Sequence, residues 1–378
     1  MSVAISPPSG ASSGVSPEGR RFVVLDGLRG IAAFAVIADH IPSSLMQSLI
    51  QGRYLAVDFF FALSGFVLAH AYQSRFEKGL SAVAFMRLRF IRLYPMYLAG
   101  LGIALALTLY LRLSGGEWVS WKKILAIAGF SVLFLPTPRS FGQDDLLYPF
   151  NPPAWTLLFE LVANAVYAVF ARFLTPRVLL GALLVFGLVA AFLIPKEEDL
   201  GAGWKWSDAE IGLVRVLYGF FAGVLIYKLR DRFRFPTVPA WGAVLLLLAV
   251  LCLPVPDVWR RWFDVLACVL LFPALIVVAQ GAAASGITGQ IASRLGIMSY
   301  GVYVLHLPLF KVLGSFWAVI GWENPPGMLN IALVALAAGT LAWAADRIYD
   351  VPMRRFLSRV LPFSGRTKTA AGTVQPEH

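Results

Sequence analysis

The stretch FVVLDGLRGIAAFAVIADHIP, residues 22–42, decides how the whole chain is read. It is long enough to cross a hydrocarbon layer as a helix, which takes roughly 20 apolar residues. Asp26, Arg29 and His40 interrupt it, and ionisable groups inside a span are costly and face protein rather than lipid. Arg29 and His40 are eleven positions apart. At 100° per residue that is three turns plus about 20°, so they share a face roughly 16 Å apart in depth. Asp26, three residues before Arg29, falls on the same stripe. One helix thus sets a cation near one membrane face and an imidazole near the other, both inward, which is the layout of a through-membrane tunnel. The plainer alternative pairs Asp26 with Arg29 at the interface and lets His40 cap the helix.

Working outward, similar runs recur along the chain. Of 378 residues, 58% are hydrophobic and 14% charged, with a mean hydropathy of +0.73; a soluble domain carries roughly 25% charged residues. Apolar runs lie at 22–42, 54–72, 94–113, 123–136, 154–171, 177–195, 210–228, 238–256, 262–280, 296–320 and 327–346. Eleven crossings would put the basic segment KLRDRFRF (228–235) and MRRFLSR near the end outside, against the positive-inside rule. The run 123–136 is the shortest, of re-entrant or interfacial length, so it is taken not to cross. The expected fold is therefore all-α, a polytopic bundle of about ten spans with one re-entrant or interfacial helix. The basic groups at 75–92, 172–177, 228–234 and 354–359 then face the cytoplasm, and KEEDLGAGWKWSDAE (196–210) lies outside. Residues 1–20, rich in Ser, Pro and Gly, are expected to be a disordered cytoplasmic tail and not a signal peptide. Residues 21–356 form one transmembrane domain and 357–378 a second cytoplasmic tail. The membrane is expected to be the inner (plasma) membrane, with both termini cytoplasmic.

The net charge of +11 falls in short groups between apolar runs, with no basic face for nucleic acid. Cys252 and Cys268 each sit in an apolar run without metal-ligand spacing, so neither a disulfide nor a metal site is expected.

Further polar residues punctuate the spans. Asp58 sits about one turn into YLAVDFFFALSGFVLAHAY (54–72), at a depth similar to His40, with Ser64 and Gly65 at the middle. A small pair of this kind most often marks close helix packing. In FMRLRFIRLYP, Arg89 and Arg92 lie one helical turn apart, and their planar forks suit phosphate; snorkelling to lipid headgroups is the alternative. Glu160 follows Trp155 into the span at 154–171, and Arg215, at comparable depth, is its expected partner. In SYGVYVLH, Ser299, Tyr303 and His306 share one helical face, where a buried, hydrogen-bonded tyrosine is the common outcome.

LDGLRGIAA followed by His40, FFALSGFVL, the RFIR pair, PPAWTLLFEL and SYGVYVLH together resemble, in order and spacing across about 22–355, the acyltransferase 3 family of membrane acyltransferases. One departure is YDVPMRR, with Asp350 where the family more often has Glu. The resemblance implies transfer of an acyl group, acetyl foremost, from cytoplasmic acyl-CoA to a hydroxyl of an extracytoplasmic or lipid-linked glycan within the cell envelope. Its partners would be acyl-CoA, that carbohydrate acceptor and membrane lipid, with no nucleic acid and no metal. On that reading Arg29, Arg89, Arg92, Ser64 and Tyr303 bind the donor, and His40, Asp58 and Glu160 carry catalysis. His40 would act as general base, oriented by Asp58 or Glu160 rather than by Asp39, because adjacent helical residues diverge. Trp155, Trp204 and Trp206 would offer flat surface to a sugar or, more simply, form an interfacial belt. The rival classes are a transporter or flippase, which also buries charges at mid-depth, and a purely structural membrane protein.

Overall fold

A computed structural model describes residues 22–115, 119–142, 144–193, 200–232 and 238–361; the expected tail 1–20 and most of 357–378 lie outside them. Helices follow one another with no strand among the described residues: α1 Val23–His40, α2 Ser44–Leu49, α3 Ala56–Glu77, α4 Ala82–Leu113, α5 Trp121–Val132, α6 Ala154–Phe170, α7 Pro176–Leu193, α8 Ala209–Leu229, α9 Ala240–Cys252, α10 Asp257–Leu266, α11 Phe272–Ala279, α12 Gly286–Val319, α13 Gly327–Ala345 and α14 Val351–Val360. Single π turns join α10 to α11 and α13 to α14, at Ala267–Leu271 and Asp346–Asp350. The side chains of Ser43, Ser81 and Ser120 accept hydrogen bonds from the starting amides of α2, α4 and α5. Pro95 and Pro308 sit inside α4 and α12, as neighbouring helices in a membrane permit.

Among the described residues, six continuous helices are long and apolar enough to cross a membrane: Arg53–Glu77, Ala82–Leu113, Ala209–Leu229, Asp257–Ala279, Gly286–Val319 and Gly327–Val360. Four more bring the total near the expected ten: α1, whose span carries Asp26, Arg29 and Asp39, and the apolar α6, α7 and α9. Leu180, Leu184 and Leu188 along α7 are exposed, as lipid-facing side chains are. This is a multi-pass membrane bundle.

Neighbouring side chains fix the helix directions. Gly27 and Gly30 of α1 abut Ala292 and Leu295 of α12, and His40 reaches His306, so the two helices run parallel. α3 and α8 also run parallel, with Asp58 at Arg215 and Gly223 at Ala62 and Phe66. Gly65 has no room for a side chain: a Cβ there would collide with the Phe220 carbonyl. α4 runs against α6, since Arg89 meets Glu160 while Gly100 meets Asn151. Gly327 packs on Pro42 and Ser43, and Asp350 lies by Arg92, so α13 returns from the His40 end to the Arg29 end.

The bundle therefore has two unlike ends. The basic end gathers Arg29, Arg89, Arg92, Arg172, Lys228 and Arg354, and the other is built of loops around His40. α5 enters from the loop end, where Arg112 of α4 stacks on Trp121. Its far end lies against the middle of α4, with Tyr94 and Tyr97 donating to the carbonyls of Val132 and Ser131 at 2.7 Å each. The chain then turns back, and Tyr148 donates to Phe134 at 3.1 Å. The short run thus forms a re-entrant hairpin.

Candidate functional site

A cavity of about 170 Å³ lies between α1, α3, α4, α6 and α12. Arg29, Ser64, Arg89, Arg92, Glu160 and Tyr303 all line it, with Phe60, Val67, Leu157 and Tyr300 supplying apolar wall. Six positions picked out by sequence pattern from five helices thus meet around one space.

Each polar group is held by a neighbour. Arg29 forms the expected ion pair with Asp26 at 3.1 Å and also donates to Ser299 Oγ at 3.0 Å and to the Gly296 carbonyl at 2.9 Å. Helix α12 comes this close because Gly30 and Gly296 lack side chains. Ser64 Oγ donates to Glu160 Oε1 at 2.7 Å, and Arg89 Nη2 donates to the same oxygen at 3.0 Å. Arg89 Nε is buried with no hydrogen-bond partner among the described residues. Arg92 Nη1 lies 3.6 Å from Asp350 Oδ2, an ion pair too long for a hydrogen bond, so that nitrogen is likewise unsatisfied. Asp350 is better held by Arg354, at 2.8 Å. Tyr303 and Thr156 share a hydrogen bond of 2.8 Å at the far wall. Arg29, Arg89 and Arg92 thus bring three guanidinium charges to the basic end of the cavity, a chemistry that suits phosphate oxygens.

The expected pairing of Arg215 with Glu160 is replaced. Arg215 grips Asp58 as a fork, Nε to Oδ1 at 3.0 Å and Nη2 to Oδ2 at 2.6 Å, and also donates to the Ala202 carbonyl. Depth alone does not say which helices touch: the glycines of α8 seat it on α3, which leaves Glu160 to α4. Asp58 borders a separate hollow of about 130 Å³, with Arg215, Tyr218 and Cys268. Cys252 and Cys268 are both free thiols.

His40 closes α1 at the loop end and does not line the cavity. Its Nδ1 lies 3.0 Å from the Val36 carbonyl. The expectation that Asp58 or Glu160 orients it is not met, since one carboxylate is bound to Arg215 and the other to Ser64 and Arg89. Asp39 comes nearest, at 3.9 Å, and pairs with Arg53 at 3.3 Å. The ring of His40 packs edge-on against His306, centroids 4.9 Å apart. His306 and Arg53 were not singled out as site residues by sequence pattern. His306 sits three residues beyond Tyr303, and that spacing was the available signal. Trp155 packs over Arg215, 5.8 Å from its guanidinium carbon to the ring centroid, and Trp204 and Trp206 donate to the carbonyls of Gly201 and Thr137, at 3.1 and 2.8 Å. Those contacts build the loop end.

Comparison with known proteins gives the family. The family model of the acyltransferase domain, acyltransferase 3, matches residues 22–345. The chain is 26% identical over 388 aligned residues to the acyltransferase MdmB of Streptomyces mycarofaciens, covering 92% of this chain and 95% of that one. It is 38% identical over 157 residues to protein 2 in the picA locus of Rhizobium radiobacter, covering 39% of this chain and 81% of that one. No solved structure matches. With the family pattern running through nearly every helix of the bundle, the chain belongs to the acyltransferase 3 family and is a membrane acyltransferase.

Proposed function

We propose that the chain transfers an acyl group, acetyl foremost, from acyl-CoA at the basic end to a hydroxyl of a glycan or lipid-linked glycan at the loop end, in the cell inner membrane. The observation that carries this reading is the cavity lined by Arg29, Arg89 and Arg92, on the same helix bundle whose opposite end holds His40. Coenzyme A is large and highly charged, so its phosphates stay with the arginines while the pantetheine arm enters the cavity past Ser64 and Tyr303. The positive-inside rule puts the basic end, with both termini, in the cytoplasm, where acyl-CoA is made.

His40 is the general base. Its Nδ1 faces a backbone carbonyl, which only accepts, so Nδ1 carries the hydrogen and Nε2 keeps its lone pair. Nε2 takes the proton of the acceptor hydroxyl as that oxygen bonds to the thioester carbonyl carbon. The carbon–sulfur bond then breaks, and the proton passes to the leaving thiolate, giving the ester and free coenzyme A. Asp58 is left outside this chemistry as a structural ion pair, and Glu160 belongs to the donor wall.

The purified chain in lipid nanodiscs, given acetyl-CoA and a thiol-reactive dye, tests the reading. Thiol release that rises when an envelope glycan fraction is added supports it. Flux of a glycan precursor across vesicles with no thiol release would favour a transporter instead. Reporters fused after Arg234 and after Arg359 should read as cytoplasmic, and one near Glu198 as external; an external reading after Arg234 would reverse the donor side.

A further inference from the structure

Two hydroxyls line the cavity at its loop-end wall, and they hold more hydrogens than the protein around them needs. On α12, Ser299 holds Arg29, and Tyr303 lies one turn nearer the loop end. On α6, Thr156 stands in the first turn from the loop end, with Glu160 about one turn deeper. Thr156 and Tyr303 both line the cavity, and both are buried, 4% and 6% exposed. Tyr303 packs against His306 and His306 against His40, ring centroids 6.0 and 4.9 Å apart, so this wall is on the His40 side. Phe60 packs edge-on to the Tyr303 ring at 5.7 Å and holds its plane. Tyr303 Oη lies 2.8 Å from Thr156 Oγ1 and donates to the Pro153 carbonyl at 3.2 Å, while Thr156 Oγ1 donates to the same carbonyl at 3.0 Å. That carbonyl also accepts the Thr156 amide, at 3.3 Å. Between the two hydroxyls either oxygen can donate. Thr156 can therefore give its hydrogen to the Tyr303 oxygen, and the phenol hydrogen is then available to a group in the cavity with both hydroxyls and the carbonyl still paired.

We propose that Tyr303 is a catalytic residue whose hydroxyl donates to the thioester oxygen as negative charge develops there, and that Thr156 is the positioning residue that holds the phenol by donating to it. This rests on the reading of acyl-CoA as donor and His40 as base. As the acceptor oxygen bonds to the carbonyl carbon, the π pair moves onto the thioester oxygen. The Tyr303 O–H tightens its bond to that oxygen and keeps its proton. The pair returns to re-form the carbonyl as the carbon–sulfur bond breaks, so Tyr303 ends as it began, and the proton held by His40 goes to the thiolate. A thioester oxygen is a weak acceptor and the oxyanion a strong one, so the bond gains most of its strength on the way to the transition state. Its loss therefore lowers kcat and leaves coenzyme A binding alone. The chain from Thr156 to Tyr303 to substrate also polarises the last donor.

The test compares the full-length wild type with Tyr303→Phe, Thr156→Val, Thr156→Ser and the double variant Tyr303→Phe with Thr156→Val. Transfer of label from radiolabelled acetyl-CoA to endogenous acceptor is measured in membranes, and coenzyme A binding and thermal unfolding on each purified protein. Tyr303→Phe should lose roughly 10²- to 10³-fold in kcat with coenzyme A binding unchanged. Thr156→Val should lose roughly tenfold, and Thr156→Ser, which keeps the hydroxyl, should stay near the wild type. In the Tyr303→Phe background Thr156→Val should cost nothing more, because Thr156 acts through the phenol. Near-normal kcat in Tyr303→Phe overturns the proposal. So does a Tyr303→Phe protein that loses coenzyme A binding together with turnover, since the hydroxyl then builds the donor site. Losses that multiply in the double variant refute the part given to Thr156. If Tyr303→Phe does not fold, the threonine variants decide, and equal kcat in Thr156→Val and Thr156→Ser overturns the proposal. A wild type that binds no acetyl-CoA would sink the donor reading and this inference with it, an outcome seen before any substitution is made.

Discussion

Arg89 and Glu160 make opposite predictions although they touch. Their ion pair spans 3.0 Å, with side chains 13% and 17% exposed, at the wall of the cavity. If phosphate of the donor binds at Arg89, Arg89→Ala removes at least one charge-assisted hydrogen bond, about 1.5–3 kcal/mol. At 1.4 kcal/mol per tenfold, coenzyme A binding should weaken roughly 10- to 100-fold. Glu160 competes for the same guanidinium. Glu160→Gln keeps an acceptor for Ser64 and Arg89 but deletes the negative charge that an incoming phosphate meets. Binding should therefore hold or tighten by several-fold, on the order of 1 kcal/mol or less for a partly exposed pair. Titration calorimetry of detergent-solubilised protein with coenzyme A reads both variants directly. Unchanged affinity in Arg89→Ala would refute the donor placement. A Glu160→Gln variant as weak as Arg89→Ala would refute the idea of competition and make the carboxylate the support that holds Arg89 in place.

His40→Ala should abolish acyl transfer while coenzyme A binding stays at the wild-type level, because the arginines lie at the other end of the bundle; turnover within a few-fold of normal would remove His40 from the mechanism. The Asp58–Arg215 pair has side chains only 4% and 5% exposed. Asp58→Ala should accordingly lower stability by about 3–5 kcal/mol, and Asp58→Leu with Arg215→Met should recover most of it, as read by thermal unfolding in detergent. In the loop end, slight burial pushes the Asp145 carboxyl up, but the hydrogen bond from Ser207 and the Arg139 guanidinium outweigh this and hold it below the usual carboxylate range. Its contribution is then present above the ordinary carboxylate value and lost as pH falls through the lowered one, so hydrogen exchange at the Ser207 amide should accelerate only in that acid window and, in Asp145→Asn, should be fast at neutral pH.

The helical class, the re-entrant segment and the Arg29–His40 stripe were legible because each depends on one segment alone: its length, its flanks or its 3.6-residue period. Partners across helices were not, because hydropathy fixes depth and not neighbourhood. Arg215 shows the difference. It sits at a depth shared by Asp58 and Glu160, and only the approach of α8 to α3 chooses between them. A signal for that approach was present in GFFAG, where Gly219 and Gly223 form a small-xxx-small face that meets Phe61, Ala62 and Phe66. Asp39 is the converse case. Adjacent helical residues do point apart, yet at the last turn of α1 its carboxylate still swings to within 3.9 Å of His40. In the sequence Asp350 stands out only as a departure from the family pattern, and its part in holding Arg92 and Arg354 depends on the π turn in which it lies, buried.

The sidedness of the reaction is the most direct test of the whole account. Proteoliposomes with the chain in one orientation are given [14C]acetyl-CoA on one side only and a glycan acceptor on the other. The account predicts thiol release on the side of the basic end, with label recovered as ester on the side of His40. Thiol release from acetyl-CoA supplied at the His40 end, or label crossing with its thioester intact, would contradict it.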